Sequence, residues 1–294
     1  MKRFLGILSA ALIAVSLFSG CSNSKDGTSQ QDTNTQSETG STGGAAALSG
    51  SINLGGSTSV ENVIVAAIDE FTAQNPDVTG KYDATGSSVG VTNAIDGTYH
   101  LGFSSRELKS EEASSGLTQK KFALDGIAVA VNPQNKVSDL TIAQIKDIFT
   151  GKITNWKDVG GEDAKIVVVS REAGSGTRDA FEELVGFKGG LLNGAAIKDG
   201  NGNVATYIGG EKNAIGYVSF VTLDENKTLI RGLKVEGADP TTDNVLNGKY
   251  KISRPFIMVY KEANLNGAEK AFADFLMSDD GQQIVKEKGA ISVK

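Results

Sequence analysis

The sequence predicts an α/β fold, and three observations carry that prediction. Short β-branched runs such as Lys165–Val169 read as buried strands, apolar residues at helical spacing follow them, and loops rich in Gly, Ser and Thr join the two at three separate places. Ser51 to Leu54 is the first strand candidate and ends in Gly55-Gly56-Ser57-Thr58-Ser59. Val60, Val63, Ile64, Ala67, Ile68 and Phe71 then mark one face of a helix, closed by Asn75-Pro76. Gly86-Ser87-Ser88 stands directly before the helix-like Val89 to Ile95. Ile127 to Val131 reads as a buried strand. Thr141 and Gln144 make a capping box for a helix carrying Ile142, Ile145, Ile148 and Phe149, which Gly151 stops. The Lys165–Val169 strand runs into Arg171-Glu172-Ala173-Gly174-Ser175-Gly176-Thr177-Arg178, and Ala180, Phe181, Leu184 and Val185 recur behind it at helical spacing. Strand-like runs follow at Ala214–Phe220 and Ile257–Tyr260, and the chain closes on a helical stretch containing Phe272, Phe275, Leu276 and Ile284.

The loop from Arg171 to Arg178 has the makings of an anion socket. It delivers backbone N–H groups at the positive end of a helix dipole, and Gly174 and Gly176 leave that backbone uncovered. Ser175 and Thr177 add hydroxyl donors, while Arg171 and Arg178 add fixed positive charge suited to a tetrahedral oxyanion. One Gly-Ser-Gly before a helix is also an ordinary turn and N-cap, but three such loops in one chain point to a shared ligand.

Composition narrows the function classes. The net charge is −6, so nucleic acid is a poor partner, and an anion must be drawn by local dipoles and a few arginines rather than by the overall field. No Cys/His cluster fits a metal site, no GxxxxGK[ST] occurs, and no GxGxxG follows a strand, so no cofactor is expected. His100 is the sole histidine and reads as a strand-edge residue rather than a triad member. Ser175 lacks the flanking glycines of a nucleophile elbow, and Trp156 reads as a packing residue. An enzymatic function is therefore not expected.

The N-terminus assigns the compartment. Lys2 and Arg3 precede an apolar run from Phe4 to Phe18, then Ser19, Gly20 and Cys21, which reads as a secretion signal. That run of 15 residues is shorter than the roughly 20 a spanning helix needs. Cys21 is the only cysteine, and small residues before it resemble a bacterial lipoprotein cleavage box, although Phe18 stands where an aliphatic residue is more common. The expectation is a leader over 1–20 and a lipid such as palmitate on Cys21, anchoring the protein on the outer face of the cell membrane. Residues 21–48 are low-complexity Ser, Thr, Asn, Gln and Gly and read as a flexible tether. Loss of Lys2 and Arg3 with the leader makes the mature chain two charges more negative.

From Ser51 onward the motifs together resemble the Pst-type phosphate-binding lipoproteins of bacterial high-affinity phosphate ABC transporters. They are GGSTS (Gly55–Ser59), TGSSVG (Thr85–Gly90), GFSSREL (Gly102–Leu108), IFTGKITNW (Ile148–Trp156), REAGSGTR and AIGYVSF (Ala214–Phe220). The resemblance implies a two-lobed, class II periplasmic-binding-protein-like fold with a ligand cleft at a hinge. The lobes would be 49–126 with 254–294, and 127–253, with hinges near Asp125-Gly126 and Ser253-Arg254. It also implies that Thr58, Ser59, Ser87, Ser105, Arg171, Ser175, Gly176 and Thr177 hold inorganic phosphate, which passes to a membrane permease. Many members place an aspartate where this chain has Ser105, and that carboxylate accepts the proton of phosphate. Here the acceptor would be the serine oxygen, Glu61 or Asp179, with Arg106 adding charge nearby. The rival reading is another tetrahedral oxyanion, such as sulfate, molybdate or a phosphonate.

Overall fold

A computed structural model describes residues 47–294. The leader, Cys21 and nearly all of the expected tether lie outside the described residues. Leu48, the last tether residue, packs against the apolar core built around Ile52 and Phe272.

Strands β1 (Gly50–Gly56), β2 (Val78–Asp83) and β3 (Leu101–Ser104) are mutually parallel, with β1 in the middle. Strands β5 (Val167–Arg171), β6 (Ala196–Lys198) and β7 (Ala214–Ser219) form a second parallel group around β5. Between the groups lie two antiparallel strands, β4 (Thr118–Val131) and β8 (Ser253–Tyr260), so the order is β2-β1-β3-β8-β4-β7-β5-β6. Parallel groups need crossover helices, which is why strand and helix alternate along the chain.

Two large apolar cores flank this sheet. One gathers Ile52, Leu54, Phe103, Phe122, Phe256 and Phe272; the other gathers Ile127, Val129, Phe149, Trp156, Phe181 and Tyr217. Strand β4 supplies residues to both, Phe122 and Ala123 to the first and Ile127 to Val131 to the second. Asp125 and Gly126 stand at that change of core, opposite Arg254 and Ser253 of β8.

The helices start where the sequence marks them. Helix α1 (Glu61–Gln74) buries Val63, Ile64, Ala67, Ile68 and Phe71, and α2 (Ser87–Asp96) starts at the second Gly/Ser loop. Helix α3 (Ile142–Phe149) has the expected box, with the Thr141 hydroxyl accepting from Gln144 N and the Gln144 side chain accepting from Thr141 N at 2.9 Å. Helix α4 (Gly176–Val185) begins directly after Ser175, whose hydroxyl accepts from Arg178 N. Helices α5 (Gly200–Gly210) and α6 (Phe220–Glu225) lie before and after β7.

Four readings of the sequence shift. Strand β5 lies two residues later than Lys165–Val169, so Arg171 ends a strand instead of opening a loop. Strand β4 runs well ahead of Ile127, because its first half pairs with β8 through exposed lysines that carry no apolar signal. Leu184 is 40% exposed, since the buried stripe of α4 runs through Ala180, Phe181 and Val185. The closing helical stretch is two helices, α7 (Gly267–Leu276) and α8 (Asp279–Glu287), because the Ser278 hydroxyl accepts from Gly281 N and starts a new helix.

Candidate anion site at the ends of the parallel strands

The three loops follow the carboxyl ends of parallel strands, the usual binding edge of an open α/β sheet. Thr58 and Ser59 come after β1, Ser105 after β3, and the segment Arg171–Thr177 leads from β5 into α4. Ser87 is the first residue of α2, behind Gly86 with φ of +94°. Ser59, Ser87, Ser105, Arg171, Ser175, Gly176 and Thr177 are buried, and Thr58 is half-buried.

The structure brings these residues to one place. Ser59 Oγ and Thr177 Oγ1, 118 positions apart, are 2.8 Å from each other. Arg171 Nη2 donates to Thr58 Oγ1 at 3.2 Å. Ser105 N donates to Ser87 Oγ at 3.0 Å, and the two hydroxyls lie 3.2 Å apart. Gly176 closes over this pair: a Cβ there would overlap Ser87 Oγ and lie 2.8 Å from Ser105 Oγ. The residue must be glycine because the backbone itself is the contact surface. Ser175 is spent partly as the cap of α4, and its position fixes the Gly176 N–H at the helix N-terminus.

Arg171 is 1% exposed. Its Nε and Nη2 bond Glu172 at 2.7 and 2.6 Å, which sets the guanidinium plane, while its buried Nη1 has no hydrogen-bond partner among the described residues. Its backbone N–H donates to the Tyr217 hydroxyl at 3.2 Å, and that hydroxyl also meets Ser170 Oγ at 2.7 Å. Burial pushes the Tyr217 phenol up to about 12, so it stays a neutral brace for the strand end. Arg178 does not face the site: its Nε donates to Glu182 and its Nη1 to the Arg171 carbonyl, so it stiffens the loop from behind.

The proposed acceptors separate in the same way. Asp179 Oδ2 lies 3.0 Å from Arg106 Nε as an ion pair. Arg106 is buried, not surface-exposed, and forks onto Glu112 at 2.7 and 2.8 Å. Burial and the nearby Glu225 charge raise the Glu61 pKa, and Glu61 lines a cleft beside Thr58. His100 pairs with Glu269 at 2.8 Å, away from the loops, and Trp156 is a core residue whose Nε1–H donates to the Asn213 carbonyl.

Three site residues were not assigned from the sequence. Asn201 Nδ2 donates to Thr58 Oγ1 at 3.0 Å and Ser59 Oγ at 2.9 Å. Arg254 donates to Thr177 Oγ1 at 3.0 Å, Ser59 Oγ at 3.1 Å and the Ser105 carbonyl at 2.7 Å. Asp125 holds Arg254 through Oδ2, 2.8 Å from Nη2 and 3.2 Å from Nε. Burial pushes the Asp125 carboxyl up to about 6 against the pull of Arg254, and burial lowers the Arg254 pKa. Asp125 and Arg254 fall at the expected hinge positions, but nothing in their sequence neighbourhood marks a role in the site.

Comparison with known proteins agrees with this architecture. The sequence profile of the PBP superfamily domain matches residues 33–280. The phosphate-binding protein PstS of Bacillus subtilis is 33% identical over 250 residues, covering 82% of this chain and 80% of that one. A crystal structure from Clostridium perfringens with bound phosphate, described as a phosphate ABC transporter substrate-binding protein, is 50% identical. It superposes with a TM-score of 0.81 over 83% of this chain and 100% of that one. An ABC-type phosphate transport receptor from Vibrio cholerae is 33% identical with a TM-score of 0.69 over 83% of this chain and all of that one. With its parallel-strand loops gathered at one edge and these relatives matched over most of their length, the chain belongs to the PstS family of phosphate-binding proteins within the PBP superfamily.

Proposed function

We propose that this protein is an extracytoplasmic receptor that binds inorganic phosphate and delivers it to the permease of an ABC importer, without catalysing a reaction. The observation that carries this reading is the convergence of Thr58, Ser59, Ser87, Ser105, Gly176 and Thr177 on one spot beside buried Arg171, whose Nη1 has no partner among the described residues. Such preorganised donors suit a tetrahedral anion, because a charge-assisted bond is roughly twice as strong as a neutral one. The relatives from Bacillus subtilis and Clostridium perfringens, named for phosphate, support the choice of anion.

The ligand residues of this reading are Thr58, Ser59, Ser87, Ser105, Arg171, Ser175, Gly176 and Thr177. Two lobes, 49–126 with 254–294 and 127–253, close on the ligand by bending near Asp125-Gly126 and Ser253-Arg254. The separate apolar cores on either side of those positions support this division. Cys21 carries a lipid that anchors the mature protein, a reading supported by the leader sequence and tested by mass spectrometry of the mature N-terminus.

The test of function is thermal-shift screening with phosphate, sulfate, molybdate and a phosphonate, since a ligand of the native state alone raises the melting temperature. Phosphate should give the largest shift, and no shift with any oxyanion would overturn the reading. Ser105 favours a second reading, a site that takes sulfate as well, because a hydroxyl stands where a proton-accepting carboxylate would exclude it. Equal affinity for phosphate and sulfate would establish that alternative.

A further inference from the structure

We propose that Arg254 is a second guanidinium ligand of the bound anion, held in position by Asp125; this rests on the phosphate reading above. Arg254 is 3% exposed and sits on β8 directly opposite Asp125 of β4, where the two strands pass from one apolar core to the other. A guanidinium has five N–H donors in a fixed plane. Nε and one Nη2 donor engage Asp125, and one Nη1 donor engages the Ser105 carbonyl. The two that remain point at Ser59 Oγ and Thr177 Oγ1, adjacent hydroxyls that come from two different loops.

Those hydroxyls are weak acceptors for a buried charge, and an anion oxygen is a far better one. Arg171 strengthens the argument. Its Nη2 meets Thr58 Oγ1 of the same cluster, its buried Nη1 has no partner among the described residues, and its like charge contributes to lowering the Arg254 pKa. A dianion between the two guanidinium groups removes that repulsion. Each guanidinium has its own carboxylate, Glu172 on Arg171 and Asp125 on Arg254, and each holds its guanidinium in place.

The chemistry recognised is therefore charge on a tetrahedral oxyanion rather than the proton it carries. Selection by Arg254 should act on phosphate and sulfate alike. Any preference between them would arise at Ser105 and its neighbours.

The experiment is calorimetric titration of the full mature protein, Arg254→Lys and Arg254→Gln with inorganic phosphate and with sulfate, beside a crystal structure of the unmutated protein with phosphate. Arg254→Gln should bind phosphate about 10- to 100-fold more weakly, and any sulfate binding should fall by a similar factor, with Arg254→Lys between. A purely structural Arg254 would lower the melting temperature and leave the affinity of the folded fraction unchanged, which would overturn the proposal. Should the variants not fold, the crystal structure decides. An Arg254 nitrogen within about 3.2 Å of a phosphate oxygen supports the assignment, and phosphate bound out of its reach overturns it. Failure of the unmutated protein to bind phosphate would overturn the functional reading and this inference together, whereas unmutated binding with unaffected variants overturns only the role of Arg254.

Discussion

Replacing Arg171 by alanine should weaken phosphate binding far more than replacing Ser87. Arg171 has two nitrogens with donors to give an anion, the buried Nη1 that has no partner among the described residues and the Nη2 that now meets Thr58 Oγ1. Each charge-assisted bond is worth about 1.5–3 kcal/mol, so the pair comes to about 3–6 kcal/mol, or about 10²- to 10⁴-fold in affinity. Ser87 is a neutral donor whose oxygen already accepts from Ser105 N, so its hydroxyl is worth about 0.5–1.5 kcal/mol, or about 2- to 13-fold. Calorimetric titration with phosphate at fixed ionic strength measures both, with thermal melting to confirm that each variant is folded. If Ser87→Ala costs more than Arg171→Ala, the guanidinium is not the principal anchor and the assignment of roles fails.

Gly176→Ala should weaken phosphate binding while leaving the fold intact, because the added Cβ meets Ser87 and Ser105 across the closed site; small-angle scattering should show that the variant does not compact with phosphate, and normal compaction would count against it. Asp125 gives a pH signature. Its folded pKa of about 6 lies above the ordinary 3.8, so ionising it opposes folding, and that penalty fades as pH falls through 6 toward 4. The stability of the unmutated protein relative to Asp125→Asn should therefore rise over that window in denaturant titrations, and a flat difference would refute the raised pKa.

The loops were legible because their residues announce themselves locally. Strings such as Gly55–Ser59 and Gly174–Thr177 combine backbone freedom with hydroxyl donors, and each is followed by a helical apolar face that the structure reproduces. Arg254 and Asp125 were not legible as site residues, since their meeting is made by strand register between positions 129 apart. Each is a charge that the fold buries in a central strand, where it needs a partner, and that partner is fixed by pairing rather than by neighbours in sequence. Asn201 gave less, because GNGN reads as an ordinary turn, and only the docking of α5 behind β7 turns its amide toward Thr58 and Ser59. The half of β4 before Ile127 was hidden for a different reason. Lys120 and Lys121 are exposed, and their strand character comes from pairing with β8 rather than from burial.

The direct contact between Ser59 Oγ and Thr177 Oγ1 has a consequence for how uptake responds to the surroundings. A hydroxyl that already has a partner gains little by trading it for another, so an arriving anion swaps bonds of similar worth and the balance falls to the fields of the two arginines. Both arginines are buried, where dissolved salt screens poorly. Retention should thus change little between dilute and briny media, even as the rate of first encounter with a net-negative protein varies with them.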